Sequence, residues 1–430
     1  MSPPVHPTSS AAKTLLRWSL PVMLLALACG VYRATRAASS VDSLSTLPTK
    51  PHLVAPRYDV PQVATNEQLA AVLRRMEPPA SPVNTNVLVH ALRLWGPKTE
   101  FSDPQVPDGP TMLEYFLDDA TFRRLAGEGT PPLFRQTEQG VTVRAWREDS
   151  THRHTGAVHV DDLLATLAES GVSLDTPLKL RDGEATVGDL LRGAMRRFHQ
   201  EQDEYEWTAI SYARYLFPAG RWENQYGQPI DIDLLITELL EQPLANGVCG
   251  GTHRLEALAV LARIDDQLKT LSRRSRRRIV QHLGAVSALL IETQHLDGYW
   301  SPSWTTGSAP TSNSDGTLYE RILLTGHHLE WLALAPPEVQ PPREVLARAG
   351  QWLVRAMLEA DAEDLREHYG PFTHAARALC LWRGKEPAQV WKEMAASAAK
   401  QAPATSSPAT GSTAASFPGA NPTATRPQTD

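Results

Sequence analysis

Three stretches decide the fold: NGVCGGTHRLEAL at 246–258, LTGHHLEWL at 324–332 and GPFTHAARAL at 370–379. Aligned on His253, His327 and His374, each reads His-x-[Leu/Ala]-[Glu/Arg]-x-Leu, with Gly or Thr immediately before the histidine. Threonine caps a helix and glycine permits a sharp turn out of the preceding one. Each stretch therefore reads as the start of a helix entered from a helical hairpin. Trp207-Thr208-Ala209-Ile210 opens a fourth helix in the same manner, without the histidine. The histidines are 74 and 47 residues apart, which suits one helix pair per repeat. The longer interval contains the Ser/Thr/Gly-rich loop 301–317.

Outward from these joints, helical periodicity recurs at 66–76, 87–95, 160–170, 187–202, 232–241, 276–293 and 343–358. Strand signals are few: 141–146 alternates, and 178–187 reads as a hairpin about Asp182-Gly183. The fold expected is mainly α, with a small β insertion near 141–187 inside a domain spanning 64–395. Fifteen of the 34 prolines precede residue 111 and five follow 402, so the body keeps its prolines for turns. With 42 basic against 48 acidic residues the net charge is −6, which argues against a general nucleic-acid partner. Three cysteines exclude a disulfide scaffold.

The helix before the long loop ends in Gln294, Gly298 and Trp300 after the aliphatic run 289–291. This resembles the Gln-x-x-x-Gly-x-Trp (QW) motif of the terpenoid-cyclase and protein-prenyltransferase superfamily. A second, degenerate copy reads from Gly350 and Trp352 to Gly370 and Phe372. Physically, Gln294 can bond groups left open at helix ends, Gly298 allows the turn, and Trp300 can plug the joint between hairpins. The resemblance covers roughly 185–385 and implies an α/α toroid of helical hairpins around a central cavity, similar to exported bacterial members with no established activity. Terpene cyclisation is disfavoured, because Asp231-Ile232-Asp233-Leu234 lacks the last acid of the family's Asp-x-Asp-Asp initiator.

In a toroid, His253, His327 and His374 would sit at one level, at the N-termini of inner helices lining the cavity mouth. Glu256, Glu330 and Arg377, three residues on, would share their faces. These three are the candidate acid/base or ligand-binding groups. Cys249, in the glycine-rich joint, could reach the same mouth. The set Cys249, His253, His327 and His374 suits zinc with an open position, and lanthionine-cyclase toroids are similar in placing zinc on Cys and His near inner-helix starts. A competing reading makes the histidines polar spacers and the glutamates partners of helix dipoles. A Cys249–Cys380 disulfide would exclude thiolate ligation. His152, His154 and His159 form a looser metal hint. The function expected is binding of a small molecule, peptide or glycan at the His-lined mouth. The alternatives are a metal-dependent or acid/base enzyme and a structural envelope protein.

Lys13 and Arg17 precede the apolar stretch 18–32, and Arg33 and Arg36 follow it. This predicts a signal anchor or signal peptide over 1–37, or lipidation at Cys29, and hence a membrane-tethered extracytoplasmic protein. Residues 38–63 read as linker or irregular wrapping and 396–430 as a disordered tail. The arginine run 273–278 reads as a solvated helix face or a contact for acidic polymer or lipid.

Overall fold

A computed structural model describes residues 47–80, 84–149, 151–217, 221–307 and 315–401. The expected anchor, Cys29 and the tail beyond 401 lie outside them. The protein is mainly helical. The first eight helices are α1 (Asn66–Arg75), α2 (Thr85–Trp95), α3 (Gly109–Leu117), α4 (Asp119–Ala126), α5 (Asp162–Glu169), α6 (Val187–Arg197), α7 (Glu206–Tyr215) and α8 (Ile232–Glu241). The rest are α9 (Thr252–Leu268), α10 (Arg273–Thr293), α11 (Leu318–Leu334), α12 (Arg343–Glu359), α13 (Ala362–Glu367), α14 (Tyr369–Trp382) and α15 (Pro387–Gln401). The predicted tail boundary at 396 thus falls inside α15. Among the described residues no helix is long and apolar enough to cross a membrane.

Six helices pack in a closed cycle: α2 on α5, α5 on α7, α7 on α9, α9 on α11, α11 on α14, and α14 back on α2. These inner helices are covered on nearly all sides; every residue of α7 and every residue of α9 from Thr252 to Asp265 is buried. The outer helices bury one stripe, as amphipathic surface helices do. On α10 it is Ile279, Leu283, Val286 and Leu290, packed towards α9 and α8. On α12 it is Val345, Leu346, Ala349 and Leu353, packed towards α11 and α1. Gly326 lets α11 approach α14 closely: a Cβ there would lie 2.8 Å from the Cα of Ala375.

Gln294, Gly298 and Trp300 do what their chemistry predicts. Gln294 Nε2 donates to the carbonyls of Gly298 and Val345, both at 2.9 Å. Gly298 has φ +110°, and a Cβ there would strike the Arg348 carbonyl. Trp300 is fully buried, its indole donating to Leu290 O at 2.9 Å and its amide to Thr325 Oγ1 at 3.0 Å.

Among the described residues the β content is three separate antiparallel hairpins: β1 (Phe134–Thr137) with β2 (Gly140–Val143), β3 (Pro177–Leu180) with β4 (Gly183–Thr186), and β5 (Arg221–Glu223) with β6 (Pro229–Asp231). The third lies outside the predicted insertion, since three-residue strands are too short to show alternation.

Residues 47–63 are not a free linker. His52 N donates to Arg214 O (2.8 Å), Arg263 donates to Ala55 O (2.9 Å), Tyr58 OH to Ala335 O (3.0 Å) and Val60 N to Trp382 O (2.8 Å). Arg57 also pairs with Asp266 at 2.8 Å. All these partners lie at the C-terminal ends of α7, α9, α11 and α14, so one short strap ties four inner helices at the same end. Backbone bonding of this kind leaves no side-chain pattern in sequence.

Candidate metal centre

The joint before α9 holds three successive left-handed residues: Cys249 (φ +50°), Gly250 (φ +66°) and Gly251 (φ +82°). Glycine is required at 251, where a Cβ would collide with the Leu244 carbonyl. Cysteine in this conformation is strained, and such strain collects at functional sites. Thr252 does not cap the helix; its hydroxyl donates to Cys249 O at 2.9 Å.

His253 lies in the first turn of α9, as predicted. His327 and His374 do not start their helices. A capping box between Thr317 and Glu320 starts α11 at Leu318, and α14 begins at Tyr369. The three rings nevertheless meet, with centroid separations of 4.7, 5.0 and 4.2 Å. They are buried inside the ring rather than lining an open mouth, because Trp207 (4.3 Å from His253) and His90 (5.2 Å from His374) fill the remaining space.

Each histidine has its Nδ1 engaged. His253 Nδ1 faces Glu256 Oε2 at 3.1 Å, His327 Nδ1 faces Leu323 O at 2.7 Å, and His374 Nδ1 faces Glu330 Oε2 at 2.7 Å. With those nitrogens as donors, the tautomer assigned by the network leaves every Nε2 with a bare lone pair. His253 Nε2 and His327 Nε2 face each other at 3.2 Å. Two lone pairs at that distance require a cation: a second proton on one ring, or a metal ion between them. Two Zn–N bonds of about 2.0–2.1 Å at a tetrahedral angle would set the nitrogens about 3.3 Å apart. Burial foremost lowers the proton affinity of His253, His327 and His374, which keeps the rings in the form that binds metal.

Ligand atoms of Cys249, His253 and His327 all lie within 4.8 Å of one another, a group that can hold a metal ion. Burial, then the charges of Glu330 and other carboxylates, push the Cys249 thiol up to about 12. A metal would therefore have to displace its proton. Of the four ligands expected from sequence, His374 falls outside this group. Its Nε2 is buried and has no partner. Cys249 and Cys380 are both free thiols, so the suggested disulfide is absent. In the looser histidine cluster, His152 pairs with Asp149 and His159 with Glu204.

One helical turn on lies a charged tier. Arg377 contacts Glu256 Oε1 (3.1 Å), Glu330 and Glu169 Oε1 (3.1 Å). Arg93 and Arg214 also reach Glu169, at 2.6 and 3.0 Å. Burial raises Glu256, but the His253 bond and the Arg377 charge outweigh it and hold that carboxyl low. Burial and neighbouring Glu256 raise Glu330. Glu256, Glu330 and Arg377 thus hold one another and steady the imidazoles; Arg377 borders a cavity of about 510 Å³ with Arg93, Glu169 and Arg214, and Cys249 reaches a different space. That space is a cavity of about 660 Å³ with Cys249 in its wall.

Arg93, Glu169, Arg214, His90 and Trp207 were not picked out by the histidine alignment. The signal was present: 90–93 reads HALR, 166–169 reads TLAE and 211–214 reads SYAR. With the three histidine stretches, all six ring helices carry [His/Thr/Ser]-x-[Leu/Ala]-[Arg/Glu], one per helix. No protein-family model, curated protein or solved structure matches the chain.

Proposed function

We propose that this chain binds zinc on Cys249, His253 and His327 and uses the open fourth position to bind, and act as a Lewis acid on, a small-molecule or peptide ligand in the adjoining cavity. The observation that carries the reading is the 3.2 Å contact between two Nε2 atoms whose partner nitrogens are already engaged. Soft sulfur with two imidazoles is a zinc donor set, and three protein ligands with an open position is the pattern of reactive rather than structural sites. The Glu256–His253 pair would orient its ligand and raise its basicity, as outer-shell carboxylates do. Here Glu256, Glu330 and Arg377 are positioning residues. The closed helix cycle and the strap on four C-terminal ends support reading the body as an α/α toroid. The apolar 18–32 stretch supports a membrane-tethered, extracytoplasmic placement.

Metal analysis of the purified full-length chain tests the centre. One zinc per chain is expected, lost in His253→Ala, His327→Ala and Cys249→Ser. A folded chain that takes up no zinc on reconstitution would remove the proposal.

A further inference from the structure

The six ring helices share one polarity. The strap meets the C-terminal ends of α7, α9, α11 and α14, and α2 and α5 end there too. Gly96, Lys98, Glu169 and Ser170 line one cavity with strap residues 53–56, and Leu174 N donates to Thr49 O at 2.7 Å. The Cys249 joint opens α9 at the opposite end, about 25 Å away along its 17 residues. The chain therefore enters the body at the face turned away from the metal centre.

Helix α10 starts at that entry face. Its Arg276 shares Asp266 with Arg57 of the strap, at 2.9 and 2.8 Å. Arg273, Arg274 and Arg277 in its first turns are exposed, have no ion pair among the described residues, and have no acidic residue in the first turn beside them. Neighbouring carboxylates are engaged elsewhere: Asp266 as above, Glu241 by Arg278 at 3.4 Å, and Asp265 by the Leu271 amide at 2.8 Å. Asp233 takes the Ser272 hydroxyl at 3.4 Å.

This placement works against the fold. The start of a helix is the positive end of its dipole, so cations there weaken the helix they begin. Lys98 and Lys385, just beyond α2 and α14, lie at negative ends, where cations stabilise. Only the arginines are left without an internal reason, and such local conflicts are expected at functional surfaces.

The segment before the strap indicates which anion they meet. Fourteen residues separate the apolar stretch 18–32 from Leu47, a reach of at most about 50 Å. An anchor so close holds this face at high effective concentration beside a bilayer. On the same face strap residue Leu53 is 55% exposed.

We propose that the strap face docks on an anionic lipid bilayer through Arg273, Arg274 and Arg277, which turns the cavity at Cys249 away from the membrane. The choice of a bilayer over a soluble polyanion rests on the membrane-tethered reading; the cationic contact does not.

Hydrogen exchange of the full-length chain on nanodiscs of phosphatidylcholine, with or without phosphatidylglycerol, tests this. Amides of 270–277 should exchange at least about fivefold more slowly when phosphatidylglycerol is present, and those of 246–251 should not change. A basic residue near such a surface is worth about fivefold in binding. Arg273→Gln, Arg274→Gln and Arg277→Gln together should therefore weaken docking about 100-fold and abolish the slowing, with the melting temperature unchanged or raised. Equal exchange on both disc types, or slowing that persists in the triple variant, would overturn the proposal. So would a lower melting temperature in that variant, which would give the arginines a role in folding. A chain that docks on phosphatidylglycerol discs but leaves neutral ones would uphold the face and remove the tether. Polyphosphate bound by the chain while the discs stay bare would overturn the bilayer in favour of an acidic polymer.

Discussion

The imidazole tier and the charged tier sit one helical turn apart on the same helices, yet they solve burial differently. In the charged tier three arginines meet three glutamates, and each member has an opposite charge within 3.1 Å. In the imidazole tier each ring is satisfied on one nitrogen only; two bare nitrogens face each other and a third faces nothing. A self-balanced cluster of charges needs no further ion, whereas two bare nitrogens face to face leave a place for a proton or a metal ion. Position on a shared helix face therefore separates what stabilises the ring from what equips it.

Arg377→Met gives the largest expected effect. It takes the only arginine from Glu256 and Glu330, while Glu169 keeps Arg93 and Arg214, and breaking a buried pair by removing one partner costs about 3–5 kcal/mol. Urea denaturation should register that loss, and a change below about 1 kcal/mol would erase the contrast between the tiers. Glu256→Gln tests the link between them. Weakening the partner of a metal-bound histidine typically costs about 10- to 100-fold in affinity. Competition with a chelator should show that drop, and unchanged zinc affinity would mean that His253 is positioned without its carboxylate.

The third test concerns an imidazole that belongs to neither tier. His328 is adjacent to His327 in sequence but packs among Trp300, Trp304 and Trp331, whose indole donates to its Nδ1 at 3.0 Å. Burial lowers it to about 3. The unfolded chain takes up this proton near pH 6.5 and the folded chain does not. The stabilisation is therefore full above pH 6.5 and is lost as pH falls towards 3, amounting to about 1.4 kcal/mol by pH 5.5. Thermal melts of the metal-free protein should show a shallower acid slope in His328→Gln. An identical slope would assign the acid sensitivity to the tiers themselves.

Much of this was legible in sequence, for a definite reason. Inner helices must repeat small and apolar residues to pack, and that repetition exposes the odd polar positions, so His253, His327 and His374 aligned with their charged neighbours three residues on. Arg93, Glu169 and Arg214 obey the same spacing, but Thr166 and Ser211 replace the histidine, and α2, α5 and α7 lack the glycine-rich joint that drew attention to α9. The cavity wall was not legible. Asp161 and Asp162 reach it from the start of α5, distant in sequence from Cys249, and no periodicity relates the two segments.

The strap of residues 52–60 has a mechanical consequence. Its bonds cross from α7 to α14, so a pull on the N-terminal side loads several ring helices together, in shear. None of these residues borders the cavity at Cys249. Force applied through the N-terminal segment would tighten a lashing around one end of the helix ring, clear of the cavity wall at Cys249.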